Sequence, residues 1–383
     1  MFKLVSVFLP TASVGGAHMD GKQSSVTMTP ADSAVVQRRN KSKYRLSYRS
    51  GLGAASRLCL TPALTTRRLS TSRKAPKINI TENVSPEHVA LLMKTEWQLS
   101  YVTPLYQFRH TQLKNYSRQL AAFLAAEKQQ GLAVEVEGMQ SSFTVCFSVL
   151  QGMVMTDDDP ETVLIQIQSK PVFPKKNEPQ KPVWSGWLTC INGNVEYLRS
   201  LPKDFTCLPL FCSSGPEAFT SVIKSWLQQN FDCCFGQLEI SHTSLQWLMA
   251  LWTNCHAESG IQHLKMIWTL PAEPPLQVTY MVEPQDAWVL WNSLRNSQKH
   301  PENTGDDPEE DNIDIGEVKR FVQALKSHFY RHFRLDLSAG RLSQVSTALG
   351  SAKCNGRIKM SNSRYMITTL MLLTECALFK MPI

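Results

Sequence analysis

The chain has 383 residues, 43% of them hydrophobic, with 40 Lys or Arg against 32 Asp or Glu and a formal net charge of +8. That length predicts about two lobes, and no run of ~18 apolar residues is present, so no membrane-spanning helix is expected. The charge is uneven. Residues 1–80 hold fourteen Lys or Arg against Asp20 and Asp32, a net of +12, which leaves −4 on the remainder. A positive tail favours nucleic acid or an acidic protein surface.

Residues 1–80 read as a disordered Ser/Thr/Arg-rich tail. All nine tryptophans lie at or beyond Trp97, and the tail's aromatics are Phe2, Phe8, Tyr44 and Tyr48. So few large apolar groups cannot offset the entropy of ordering. Met19-Asp20-Gly21-Lys22 reads as a candidate alternative translation start. LVSVFL after Lys3 resembles a short signal core, and the Arg-rich, acid-poor run over 37–77 resembles a mitochondrial transit peptide. Thr29-Pro30 and Thr61-Pro62 fit proline-directed phosphorylation. Arg67-Arg68-Leu69-Ser70 fits a basophilic kinase. A phosphate there would cancel local positive charge.

The folded part begins at Ser85, a helix cap followed by Pro86 at the first helical position. Val89, Leu92, Met93 and Trp97 make an apolar stripe. An extended segment follows. Next comes an amphipathic helix with Leu113, Tyr116, Leu120, Phe123 and Leu124 on one face, capped by Thr111 and ended by Gly131. Leu132, Val134 and Val136 alternate as a strand would. Further strands are expected over 143–153, 162–168, 183–191 and 205–211, where FTVCFSV and VLIQIQ alternate with period two. Between them KPVFPKKNEPQKP (170–182) reads as an exposed loop. Its Lys170, Lys175, Lys176 and Lys181 are candidates to neutralise DNA phosphates.

Helices are expected from Pro216, around Trp247–Trp252 and from Pro284, with strands over 264–270 and 276–282. Residues 302–317 contain eight acids and no Lys or Arg, a solvated acidic loop. It leads into a helix capped by Asp314, with Arg320, Arg331 and Arg334 opposite its apolar face. They either complement the helix dipole or form a basic ridge for nucleic acid. The end of the chain reads as strands over 335–337, 341–349, 357–360 and 365–379, with Asn355-Gly356 as a hairpin turn. Such an ending exposes a sheet edge to which a partner could add strands.

The ten cysteines are scattered without a C-x-x-C pair and read as reduced, mostly buried thiols. His256 and His263 lack a ligand set, and Asp157-Asp158-Asp159-Pro160 reads as a solvated turn. There is no P-loop, no G-x-G-x-x-G opening a helix, no H-E-x-x-H and no G-x-S-x-G. No metal, cofactor or catalytic residue is assigned. The residues alone lead to a non-enzymatic α+β protein with curved, largely antiparallel sheets and packed helices.

TPLYQF, LKNYSRQLAAFLAAEKQQGLAVEV, DFTCLPLF, WLQQNFDC, SHFYRHF, LSAGRLSQVST and TECALF occur in this order across roughly residues 85–383. In this they resemble the centromere protein L family of the inner kinetochore. The resemblance implies a structural subunit of the constitutive centromere-associated network. Such a subunit pairs with centromere protein N, binds nucleosomes carrying the centromeric histone and their DNA, and joins other inner-kinetochore subunits in the nucleus. It also implies partner contacts in the C-terminal region, with Arg357, Ile358, Met360, Tyr365, Ile367, Leu370, Leu372 and Phe379 as candidates. The domain organisation expected is a tail over 1–80, an α+β lobe over 81–300, an acidic loop over 301–312 and a partner-binding unit over 313–383. Two rivals are a mitochondrial matrix protein and an enzyme of unrecognised type.

Overall fold

The computed structural model describes residues 3–8, 70–74, 84–129, 143–169, 182–255, 262–296 and 312–381. The expected strand at 132–136, the cap Gly131, the four lysines of the 170–182 loop, His256 and residues 302–311 of the acidic run lie outside them.

In chain order the elements are β1 (Lys3–Phe8), β2 (Ser72–Lys74), α1 (Pro86–Lys94), β3 (Glu96–Val102), β4 (Leu105–Tyr106), α2 (Leu113–Gln129), β5 (Phe143–Leu150), β6 (Thr162–Ser169), β7 (Pro182–Thr189), α3 (Val195–Ser200), β8 (Phe205–Thr206), β9 (Leu210–Ser214), α4 (Glu217–Phe231), β10 (Phe235–Gln237), α5 (His242–Asn254), β11 (Leu264–Leu270), β12 (Leu276–Val282), α6 (Pro284–Asn296), β13 (Asn312–Asp314), α7 (Ile315–Phe333), β14 (Arg341–Thr347), β15 (Gly350–Lys353), β16 (Arg357–Met360) and α8 (Met366–Lys380).

One open antiparallel sheet runs in the order β1-β12-β11-β14-β15-β16-β3-β9-β7-β6-β5. β3 is its hub: β9 lies along one edge, while β16 and β10 share the other, pairing with its first and second halves. The chain is α+β, as its patterning implied.

Two principal cores lie on opposite faces of this sheet, because successive side chains of a strand point to opposite sides. In β6, Val163, Ile165 and Ile167 join α2 and α4, while Leu164 joins the core beneath α5 to α8. In β9, Phe211 faces the first core and Leu210 and Cys212 the second. The apolar face read for α2 is the one it buries: Leu113, Tyr116, Leu120 and Leu124. Tyr116 packs against Phe108 and Phe231 at ring separations of 5.3 and 5.0 Å.

Ser85 caps α1 as expected, accepting the N–H of His88. Asp314 and Glu317 form a reciprocal capping box on α7, which satisfies two otherwise orphaned N–H groups. Trp97 belongs to β3 rather than to the stripe of α1. Its indole still donates to Leu92 O at 3.0 Å, tying strand to helix. Thr111 is not a cap; it lies in a single 3-10 turn, His110–Gln112, that precedes α2. Asn355-Gly356 turns β15 into β16, with Gly356 at φ +80°. A side chain there would meet Leu238 O.

Several expectations are corrected. The segment 335–337 is not a strand; Asp336 Oδ1 accepts the N–H of Ser338 in a turn. The strand over 205–211 is two, β8 and β9, broken before Pro209, whose carbonyl accepts from Val102 N. The largest change is at 365–379, which is the helix α8 rather than a bent strand. MITTLMLL is apolar all round, so it shows neither period, and its β-branched threonines and isoleucine mimic a strand. β16 is therefore no edge, because β15 and β3 flank it. Two pieces of the tail are also strands. β1 pairs with β12, from Lys3↔Met281 to Phe8↔Gln277, and β2 pairs with β13.

Candidate nucleic-acid interface

Helices α5 to α8 cover one face of the sheet from β12 to β16. The alternation on these strands is regular. Leu264, Met266, Trp268 and Leu270 of β11, Val278, Tyr280 and Val282 of β12, and Ile358 and Met360 of β16 point into the core. The intervening residues share the opposite, open face.

Register places them in rows across the strands. One row reads Met281–Lys265–Ser346–Ser351–Lys359–Glu96, each member directly opposite the next. Another reads Thr279–Ile267–Gln344–Lys353, and a third Gln277–Thr269–Arg341. Arg357 stands opposite Gln98 and donates from Nε to its Oε1 at 3.3 Å. At ~4.8 Å per strand, Lys265 and Lys359 stand about 14 Å apart.

The open face thus gathers Lys265, Arg341, Lys353, Arg357 and Lys359, all half-buried or exposed. Of the acids at its margins, Glu96 pairs with Lys353 Nζ at 2.9 Å and Glu283 with His263 Nδ1 at 3.2 Å, while Glu239 is exposed beside the turn that leads into β16. His263 thus has one carboxylate partner, which is an ion pair and not a ligand set. The remaining cations have polar neighbours, Ser, Thr and Gln, able to hydrogen-bond a phosphodiester. Open and cationic, the surface suits a polyanion rather than a buried small molecule.

The arginines singled out from sequence fall elsewhere. Lys170, Lys175, Lys176 and Lys181 lie outside the described residues. Arg320 is half-buried near the start of α7, its Nη1 close to Gly316, while Arg331 and Arg334 are exposed at the helix end. α7 packs on the covered face: Phe329 meets Tyr280 edge-on at a ring separation of 5.0 Å, and Lys326 Nζ sits 5.0 Å from the Trp268 ring centroid. The sheet therefore separates these arginines from the open-face cations. The signal for the latter was present in LKMIWTL and RIKM, where cations alternate with core residues.

The partner candidates divide similarly. Ile358, Met360, Ile367, Leu370 and Leu372 are buried in the chain's own core, and Tyr365 packs against it. Arg357 and Phe379 reach solvent, Phe379 with half its surface exposed. The Asp157–Asp159 turn is structural. Asp158 pairs with Arg199 at 2.8 Å, and Asp159 is buried and accepts four backbone N–H groups. Among the described residues no group of three His, Cys, Asp or Glu is placed to hold a metal, and no helix is long and apolar enough to cross a membrane.

The structure is a long antiparallel sheet that carries helices α5 to α8 on one face and, across β11 to β16, an open cationic surface on the other, an α+β architecture built around one extended sheet. The chain matches the family described as Centromere protein L over residues 91–378. It is 54% identical to centromere protein L of Danio rerio over 378 residues, 98% of this chain and 99% of that one. It is 42% identical to the Gallus gallus protein of that name, covering 78% of this chain and 83% of the relative. For the Homo sapiens protein the figures are 41% identity, 80% and 86%. The chain belongs to the centromere protein L family.

Proposed function

We propose that this protein is a structural subunit of the inner kinetochore and that the open face of its sheet contacts centromeric DNA. The observation that carries the DNA contact is the cross-strand array of Lys265, Arg341, Lys353, Arg357 and Lys359 on the open face. The kinetochore assignment is supported by the relatives' shared name over nearly the whole chain. In this reading the protein pairs with centromere protein N, and the pair helps bind nucleosomes carrying the centromeric histone and supports chromosome segregation. It works in the nucleus, at the centromere of the chromosome, alongside other inner-kinetochore subunits. Arg357 and Phe379 are the accessible members of the C-terminal partner region.

The test compares the purified heterodimer with a Lys265→Ala/Arg357→Ala/Lys359→Ala variant on a DNA duplex across a salt series. Each phosphate contact contributes about 0.9 to the slope of log K against log salt, so the slope should fall by about 2 to 3. An unchanged slope, with the loss appearing instead in Arg331→Ala/Arg334→Ala, would move the contact to the helical side.

A further inference from the structure

Residues 70–74 form a strap across the helical side of the molecule, and one carboxylate holds both of its ends. Glu375 of α8 accepts the backbone N–H of Ser70 on Oε1 and pairs through Oε2 with Arg73 Nη1 at 2.6 Å. Between these anchors β2 pairs with β13, Thr71 O accepts Ile315 N–H at 2.8 Å, and Ser72 Oγ donates to Asn312 Oδ1 at 2.7 Å. The Arg73 guanidinium lies 4.9 Å from the Trp247 ring centroid, and its side chain is only 9% exposed. Its Nε and Nη2 are buried without hydrogen-bond partners. The docked strap therefore depends on Glu375, since a buried guanidinium that loses its carboxylate is costly.

Ser70 is exposed, and in sequence it follows Arg67-Arg68-Leu69, the spacing read by kinases that bind arginine two and three residues before the acceptor. Thus the residue that presents its amide to Glu375 is also the acceptor of the tail's basophilic motif. We propose that Ser70 is a phosphorylation site for an arginine-directed serine kinase, and that its phosphate releases the 70–74 strap from Glu375.

In the transfer, Ser70 Oγ attacks the γ-phosphorus of a nucleoside triphosphate. The Oγ–P bond forms, the β–γ bridging P–O bond breaks, the nucleoside diphosphate departs and the hydroxyl proton passes to the kinase's base. The product carries about −1.5 to −2 charge at pH 7 on the residue whose amide rests against a carboxylate. Arg73 turns its remaining nitrogens into the protein, so the exposed phosphate meets Glu375 rather than them. Like-charge repulsion removes the anchor at Ser70, and with it the pairing of β2 to β13.

The experiment treats the full-length chain with the catalytic subunit of an arginine-directed serine kinase and a magnesium nucleoside triphosphate. The phosphate is mapped, and hydrogen exchange is followed at the amides of 312–315. The expected result is phosphate on Ser70 and exchange at Ile315 about tenfold faster, because charge-changing modification next to a carboxylate melts local pairing. Ser70→Ala should take no phosphate at this site and exchange as the unmodified protein does. In Glu375→Gln, exchange at Ile315 should already be fast before modification, because the strap has lost its anchor, and the phosphate should add about twofold or less. An unmodified Ser70, or exchange that is unchanged or slower after modification, would overturn the proposal.

Discussion

Asp159 Oδ1 accepts the backbone N–H of Gly193 at 3.0 Å, joining two loops that lie 34 residues apart in sequence. Its Oδ2 accepts from Asn192 at 2.8 Å, Met155 at 3.1 Å and Thr156 at 3.2 Å. One buried carboxylate thus satisfies four N–H groups, two in the turn between β5 and β6 and two past the end of β7, where Asn192 is held at φ +51°. Hydrogen bonds to a charged acceptor contribute more than neutral ones, and removing the acceptor orphans buried donors. Asp159→Ala should therefore destabilise the fold by about 3 kcal/mol, with Asp158→Ala, the half-buried partner of the exposed Arg199, costing about 0.5 kcal/mol or less. Urea unfolding of the two variants checks the ranking, and equal costs would remove Asp159 from its structural role.

Glu96 places a negative charge at the end of the row that contains Lys265 and Lys359, and it neutralises Lys353. If the open face binds DNA, Glu96→Gln should strengthen duplex binding by about twofold at low salt, with the gain fading as screening rises. Fluorescence anisotropy at several salt concentrations reads this directly. Weaker binding would place the nucleic acid elsewhere.

His328 of α7 shares a hydrogen bond of 3.0 Å with the Tyr280 hydroxyl and lies 4.3 Å, ring to ring, from His332. Desolvation, then His332 and Arg331, hold its pKa below the ordinary 6.5, with Asp286 opposing them. The unfolded chain therefore binds a proton at this residue before the folded one does. Stability from this site is complete above about pH 6.5 and declines as the pH falls below it. Thermal unfolding at pH 7.5 and 5.5 should show a smaller drop in His328→Gln than in the parent chain. An equal drop would assign the acid sensitivity to other groups.

Removing residues 357–383 deletes β16 from between β15 and β3 and strips α8 from the core. A partner lost on that deletion reports unfolding, not an interface. The truncated chain should lack a cooperative thermal transition, and Leu370→Asp, at a fully buried position, should behave alike. Phe379→Ser, half-exposed, should change stability by no more than about 0.5 kcal/mol. Pull-down of centromere protein N by this folded variant then tests the C-terminal contact cleanly: retained binding would exclude Phe379 from it.

Where local chemistry decides structure, the amino-acid sequence by itself determined the outcome. The cap at Ser85, the capping box at Asp314, the Asn355-Gly356 turn and the paired strands at 264–270 and 276–282 depend on neighbours within a few residues. So does the buried face of α2. The α+β class followed from the same periodicities. Tertiary structure alone decided α8, because an apolar run has no period until something packs on it. Its threonines are used by distant groups: Thr374 Oγ1 accepts Ile191 N–H at 3.2 Å, and Thr369 Oγ1 accepts the Trp252 indole at 3.0 Å. Tertiary structure alone also assembled the open cationic face, whose members come from β11, β14, β15 and β16 and meet only through strand register. The strap from Ser70 to Lys74 belongs with these. Its anchor, Glu375, lies 305 residues from Ser70, and no local pattern encodes a contact of that range.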